Sequence, residues 1–124
     1  MIVIYLLEPE YTDAALVEQV ERELLRLHIP STMDGFHYFA EAIVQTIPDP
    51  SRTRFITKGL YCDIGERFGM NPANVMRGMR TALGRCWSRG GREALDEMAG
   101  IHLTERPTSS EFINLVAAYI RCNR

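Results

Sequence analysis

Arg77 and Arg80, three positions apart, are the residues whose chemistry is easiest to place. A guanidinium carries a rigid fork of donors that can meet the N7 and O6 acceptors of guanine together. Two such forks one helical turn apart can therefore address neighbouring base pairs. Asn74 holds the donor and acceptor needed for an adenine edge, and Thr81 can hydrogen-bond a base or touch a thymine methyl. All four lie in the stretch NPANVMRGMRTALGRCWSRG, residues 71–90. At about 100° per residue, Val75, Met79, Ala82, Leu83 and Cys86 gather on one side of a helix. Ala73, Asn74, Arg77, Arg80, Thr81, Gly84 and Ser88 gather on the other. The helix over about 72–89 reads as one that buries its apolar side and offers its arginines to the major groove of double-stranded DNA. A solvated helix face is the plainer alternative for such a pair.

The flanks of this stretch define it well. Asn71 suits the N-cap and Pro72 the first helical position, where a missing N–H costs nothing. Gly90 and Gly91 supply the stop. Lys58, Arg67, Arg85, Ser88, Arg89 and Arg92 are candidates for phosphate contacts, which position a protein on DNA without reading sequence. Trp87 suits a core or boundary anchor better than a base-stacking role.

The elements that must carry this helix are also helical. The apolar residues Leu16, Val20, Leu24 and Leu27 mark a first helix over 12–27, capped by Thr12 and broken at Ile29-Pro30. Phe36, Phe39, Ala40, Ile43 and Ile47 mark a second over 33–47, with Gly35 lowering the propensity at its start. A third is expected over 54–68, placing Phe55, Leu60, Ile64 and Phe68 in the core. The short link 69–71, which contains a glycine, then joins it to the arginine-bearing helix as a helix-turn-helix. A short helix over 93–99 and a last one over 109–121, capped by Ser109 or Ser110, complete the set. The segment MIVIYLL, closed by Glu8-Pro9, reads as an extended apolar arm or lone strand over 1–11. The fold class is thus all-α, about six helices with an embedded helix-turn-helix, in a single domain over 12–124 preceded by the arm.

Composition limits the alternatives. A chain of 124 residues with 46% hydrophobic and 24% charged residues suits one soluble domain with a real core. No apolar run is long enough to span a bilayer, and no signal peptide is evident, so a cytoplasmic protein without a membrane partner is expected. Cys62, Cys86 and Cys122 have no paired spacing, and Cys86 reads as a buried free thiol. His28, His37 and His102 are scattered, so neither a metal nor another cofactor is expected. No nucleophile–base pair or phosphate loop stands out, which argues against an enzyme. The formal charge of −2 is not that of a typical nucleic-acid binder. Its distribution is uneven: residues 1–50 hold nine acids and two bases, whereas 51–124 hold seven acids and twelve bases. The arginine-bearing helix lies in the basic part.

The pieces HIPSTMDGFHYFAEAI, ITKGLYCDIGERFG, NVMRGMRTAL, CWSRGG and RPTSSEFINLVA follow one another without a large gap over about 27–120. In this order they resemble the C-terminal effector domain of the master response regulator that initiates sporulation in endospore-forming bacteria. The resemblance implies a six-helix DNA-binding domain in which arginines matching Arg77 and Arg80 contact bases. It also implies a homodimer contact through the last helix, where Phe112, Leu115 and Tyr119 are candidates. A contact of residues 91–101 with the sigma subunit of RNA polymerase is implied as well. Where the regulator has arginine, glutamate and histidine around the two arginines, this chain has Asn74, Met76 and Thr81, so a different target sequence is expected. Residues 1–26 cannot form that regulator's receiver domain, and activation by aspartyl phosphate is not carried over. The expected function is a sequence-specific transcriptional regulator. The alternative is an interaction module that pairs with a full-length regulator and does not itself bind DNA.

Overall fold

Apolar residues three or four positions apart explain how the first helix docks: Leu16, Val20, Leu24 and Leu27 form one stripe, and all four are buried. A computed structural model describes residues 2–123, with side chains over 14–123. Among the described residues there are six α-helices and no strand. They are α1 (Ile2–Arg26), α2 (Asp34–Thr46), α3 (Leu60–Phe68), α4 (Pro72–Ser88), α5 (Arg92–Ala99) and α6 (Ser109–Cys122). A 3-10 turn, Pro50–Thr53, links α2 to the segment before α3.

Helix α2 is the hub, touching α1, α3, α4 and α6. Its Phe36 and Phe39 are fully buried, and the Phe39 ring meets that of Phe112 from α6 with centroids 4.7 Å apart. Burying a side chain of this size contributes roughly 1.5–3 kcal/mol, so the α2–α6 contact is a main source of stability. Polar ties hold the same seam. Arg121 Nε donates to the Ile47 carbonyl at 2.9 Å, and Asn114 Nδ2 donates to Thr53 Oγ1 at 2.7 Å.

The α2–α4 contact is made by glycines. A Cβ on Gly35 would lie 2.1 Å from the Gly78 carbonyl oxygen and 2.7 Å from the Ala82 Cβ. A Cβ on Gly78 would strike the Tyr38 ring at 2.7 Å. The two helices therefore cross with their backbones almost touching. Gly35, which lowers helix propensity, is the residue that permits this approach.

Several expectations about the elements are corrected. Residues 2–11 belong to α1, so the expected extended arm is helical from Ile2 onward. A helix satisfies its own backbone groups, whereas a lone strand needs a partner. Thr12 accordingly lies within α1 and does not cap its start as expected, while the side chains of the arm fall outside the described ones. Helix α3 begins at Leu60 rather than at residue 54. Residues 54–59 form turns instead, with the Gly59 N–H on the Phe55 carbonyl at 2.8 Å and the Tyr61 N–H on the Ile56 carbonyl at 2.9 Å. Phe55, assigned to the core from its spacing, is consequently 72% exposed, and Phe68 is 40% exposed. The cap of α6 is Thr108, not Ser109 or Ser110. Its hydroxyl accepts from the Glu111 N–H while the Glu111 carboxylate accepts from the Thr108 N–H, a reciprocal capping box. No described helix is long and apolar enough to cross a membrane.

Candidate nucleic-acid interface

Helix α4 starts where its sequence says it should. The Asn71 side chain accepts from the Asn74 N–H at 2.8 Å, and Pro72 occupies the first turn. The link from α3 turns at Gly69, whose φ of 68° is left-handed, a conformation glycine adopts without a Cβ penalty. Val75, Met79, Ala82, Leu83 and Cys86 are all buried, the five residues expected from periodicity. Burial pushes the Cys86 thiol up to about 11, so it remains a neutral core group at neutral pH. Five buried anchors over three turns fix the rotation of α4 about its axis. Arg77, Arg80, Thr81, Arg85, Ser88 and Arg89 are thereby held on the exposed side.

Within that side the residues are not equivalent. Arg77 donates through Nη2 to Asn74 Oδ1. The half-buried Asn74 thus has one lone pair of its acceptor engaged by Arg77, and an adenine edge would share that oxygen with the guanidinium. The Ser88 hydroxyl donates to the Gly84 carbonyl at 2.7 Å, leaving it an acceptor but no free proton. Met76 is half-buried and packs against the core, so it stands at the edge of this face. Helix α4 itself contains no acidic residue.

Arg80 stands on one edge of the face, where a second arginine joins it. Arg106, from the segment before α6, donates through Nη2 to the Arg80 carbonyl at 2.7 Å. The same guanidinium lies over Gly84, where a Cβ would come within 3.2 Å of Nη1. Both arginines line an open cleft with Tyr61 and the hydroxyl residues Thr108, Ser109 and Ser110. Burial raises the Tyr61 phenol above its ordinary value, against the opposing effects of a Ser109 hydrogen bond and the nearby Arg80. Arg106 was not among the residues expected from sequence. Twenty-six positions separate it from Arg80, and no periodic pattern links the two.

The other basic candidates separate into two groups. Arg85 and Arg89 line a second open cleft on the opposite edge of the face, with Leu25, His28, Ile29 and Pro30. Lys58 is exposed in the turns ahead of α3. Arg67, by contrast, is turned toward α2, with its Nε 3.0 Å from Glu41 Oε1. Arg92 lies 3.9 Å above the centroid of the half-buried Trp87 ring, a cation–π contact that ties α5 to the end of α4.

The residues assigned to a dimer contact also divide. Phe112 is fully buried in the core against Phe39 and offers nothing to a second chain. Leu115 and Tyr119 are half-buried and line a shallow apolar groove with Met98, Ile101 and Leu103. Tyr119 is further engaged within the chain, its hydroxyl accepting from Arg26 Nη2 at 3.2 Å.

The family described as sporulation initiation factor Spo0A C terminal matches residues 20–120. The chain belongs to that family. The Spo0A C-terminal family comprises DNA-binding domains of transcription regulation in sporulation. Its match covers α2 to α5 entirely and most of α6, and it begins inside α1 at Val20, the second residue of the apolar stripe. The scaffold and the whole of the α4 face therefore lie inside the Spo0A C-terminal match, while the first turns of α1 lie outside it.

Proposed function

We propose that this domain binds duplex DNA sequence-specifically, with α4 in the major groove and with Arg77 and Arg80 directed at guanine edges. One observation carries the reading. The inner face of α4 is locked by five buried residues, and its outer face presents Arg77, Arg80 and Arg85 with no carboxylate paired to any of them among the described residues. A fixed helix with an uncompensated cationic face matches the demands of groove binding, in which cations displace condensed counterions and forks read base edges. Lys58, Arg85 and Arg89 serve as backbone contacts around it, and Thr81 is a secondary base contact; the Ser88 hydroxyl, with its proton on the Gly84 carbonyl, has none to give a phosphate. Asn74 acts first by aligning Arg77. A homodimer on paired half-sites would form across the groove at Leu115 and Tyr119.

Selection from a random duplex pool, repeated at two salt concentrations, tests the proposal. The expected outcome is an enriched sequence containing guanines, bound with a steep salt dependence. Arg77→Ala and Arg80→Ala should each lose roughly 1–3 kcal/mol on the enriched duplex and much less on random DNA. Equal losses on both would remove the base-reading claim. Absence of duplex binding at low salt, together with capture of a full-length regulator, would establish the interaction-module alternative in its place.

A further inference from the structure

We propose that Arg106 is a DNA-backbone contact, and that the cleft it shares with Arg80 seats one phosphodiester group at the edge of the groove read by α4. This rests on the DNA-binding reading above. Three observations support it. The Arg106 guanidinium is fixed by its bond to the Arg80 carbonyl, which uses one donor and leaves the rest of the fork available. Gly84 leaves it room: a Cβ there would crowd Nη1 at 3.2 Å. The cleft beside it, about 280 Å³, is lined by two guanidiniums and four hydroxyl-bearing residues and by no carboxylate.

The chemistry favours a singly charged tetrahedral anion over a carboxylate or a neutral ligand. With the Arg80 fork directed at a base, the remaining N–H donors of Arg106 meet the phosphate oxygens, beside the Thr108 and Ser110 hydroxyls of the same cleft. At the start of α6 the Thr108 N–H is already satisfied by Glu111 at 2.8 Å, and the Glu111 N–H by the Thr108 hydroxyl at 3.1 Å. The arginines supply the charge. The position also fits a groove binder. Arg80 and Arg106 stand on one edge of the α4 face and Arg85 and Arg89 on the other, so the two clefts can meet the two strands that wall a major groove about 12 Å wide.

The test uses the full chain, with the enriched duplex, a random duplex and a salt series. For Arg106→Ala, affinity should fall on the order of tenfold on both duplexes alike, with the salt slope reduced by about one. Arg106→Lys should keep the slope while recovering only part of the affinity. Thermal melting of each variant reports whether the fold persists. An Arg106→Ala protein with unchanged affinity and slope would overturn the inference and leave the DNA-binding reading standing. A loss confined to the enriched duplex would also overturn it, making Arg106 a positioning residue for Arg80. Failure of the unsubstituted protein to bind any duplex would overturn both. Replacing chloride by inorganic phosphate at constant ionic strength should leave the unsubstituted protein and Arg106→Ala equally affected; selective weakening of the unsubstituted protein would reassign the cleft to free phosphate.

Discussion

The arginines of this domain live in two different environments, one on the α1–α3 side and one around the outer face of α4. On the first side Arg26, Arg52 and Arg67 each have an acid at hand. Arg26 meets Glu23 at 2.9 Å and Glu97 at 3.2 Å, Arg67 meets Glu41 at 3.0 Å, and Arg52 meets Asp63. Around α4, none of Arg77, Arg80, Arg85, Arg89 and Arg106 is paired with a carboxylate among the described residues. Residue type is the same, and the distribution of acids decides what each arginine does. A paired arginine ties elements together, with its charge already compensated; an unpaired one keeps its full field for a polyanion. The overall charge of −2 hides this, because acids from the first half of the chain, Glu23 and Glu41 among them, compensate arginines far from α4.

The largest effect is expected at the seam that holds the two environments in register. Gly35→Ala places a methyl 2.1 Å from the Gly78 carbonyl oxygen, a backbone atom that cannot swing away as a side-chain tip would. Overpacking of this kind typically costs about 1–3 kcal/mol and more where backbone must shift. A urea denaturation series should show a clearly lowered midpoint, and DNA affinity should fall with it because α4 is displaced. An unchanged midpoint would mean that α2 and α4 can separate freely, and the fixed presentation of α4 would no longer hold.

An intermediate effect is expected within the unpaired group itself. Asn74 accepts from Arg77 but has no bond to Arg80. In double-mutant cycles on the preferred duplex, Asn74→Ala and Arg77→Ala should therefore couple, by about 0.5–3 kcal/mol. Asn74→Ala with Arg80→Ala should be close to additive. Coupling of equal size in both cycles would show that the three residues act as one unit and would merge the two arginine roles distinguished above.

The contrast also shows which parts were legible from sequence. The inward face of α4 was readable because a 3.6-residue period needs only local spacing, and Val75, Met79, Ala82, Leu83 and Cys86 are buried together as that period requires. Its cap and stop were readable for the same local reason. What escaped was set by contacts distant in sequence. Gly35 signals only a weak helix start until Gly78 is placed against it. Arg106 is one more basic residue in a loop until the fold brings it over Gly84. Arg67 has the sequence character of a phosphate contact, and only the packing of α3 on α2 reveals Glu41 beside it. The segment 54–59 failed differently: its apolar spacing is compatible with a helix, but the chain forms turns ahead of Gly59 and leaves Phe55 in solvent.

The smallest effect is expected from Arg67, and it probes the partition most directly. Its side chain is 66% exposed and its partner Glu41 only 17%, so the pair sits at the surface, where such contacts contribute about 0–1 kcal/mol. Arg67→Ala should therefore change the denaturation midpoint little. If pairing governs which arginines serve DNA, it should also leave duplex affinity and salt slope close to those of the unsubstituted protein. A drop in slope of about one, like that expected for Arg106→Ala, would show that Arg67 abandons Glu41 for a phosphate. Glu41→Gln supplies the converse. Removing the carboxylate charge while keeping a hydrogen-bond acceptor leaves Arg67 uncompensated, and the field on that side of the domain rises by one charge. Non-specific affinity at low salt should then increase slightly, with base preference unchanged, since Arg67 lies on α3 and not on α4, the helix proposed to read bases.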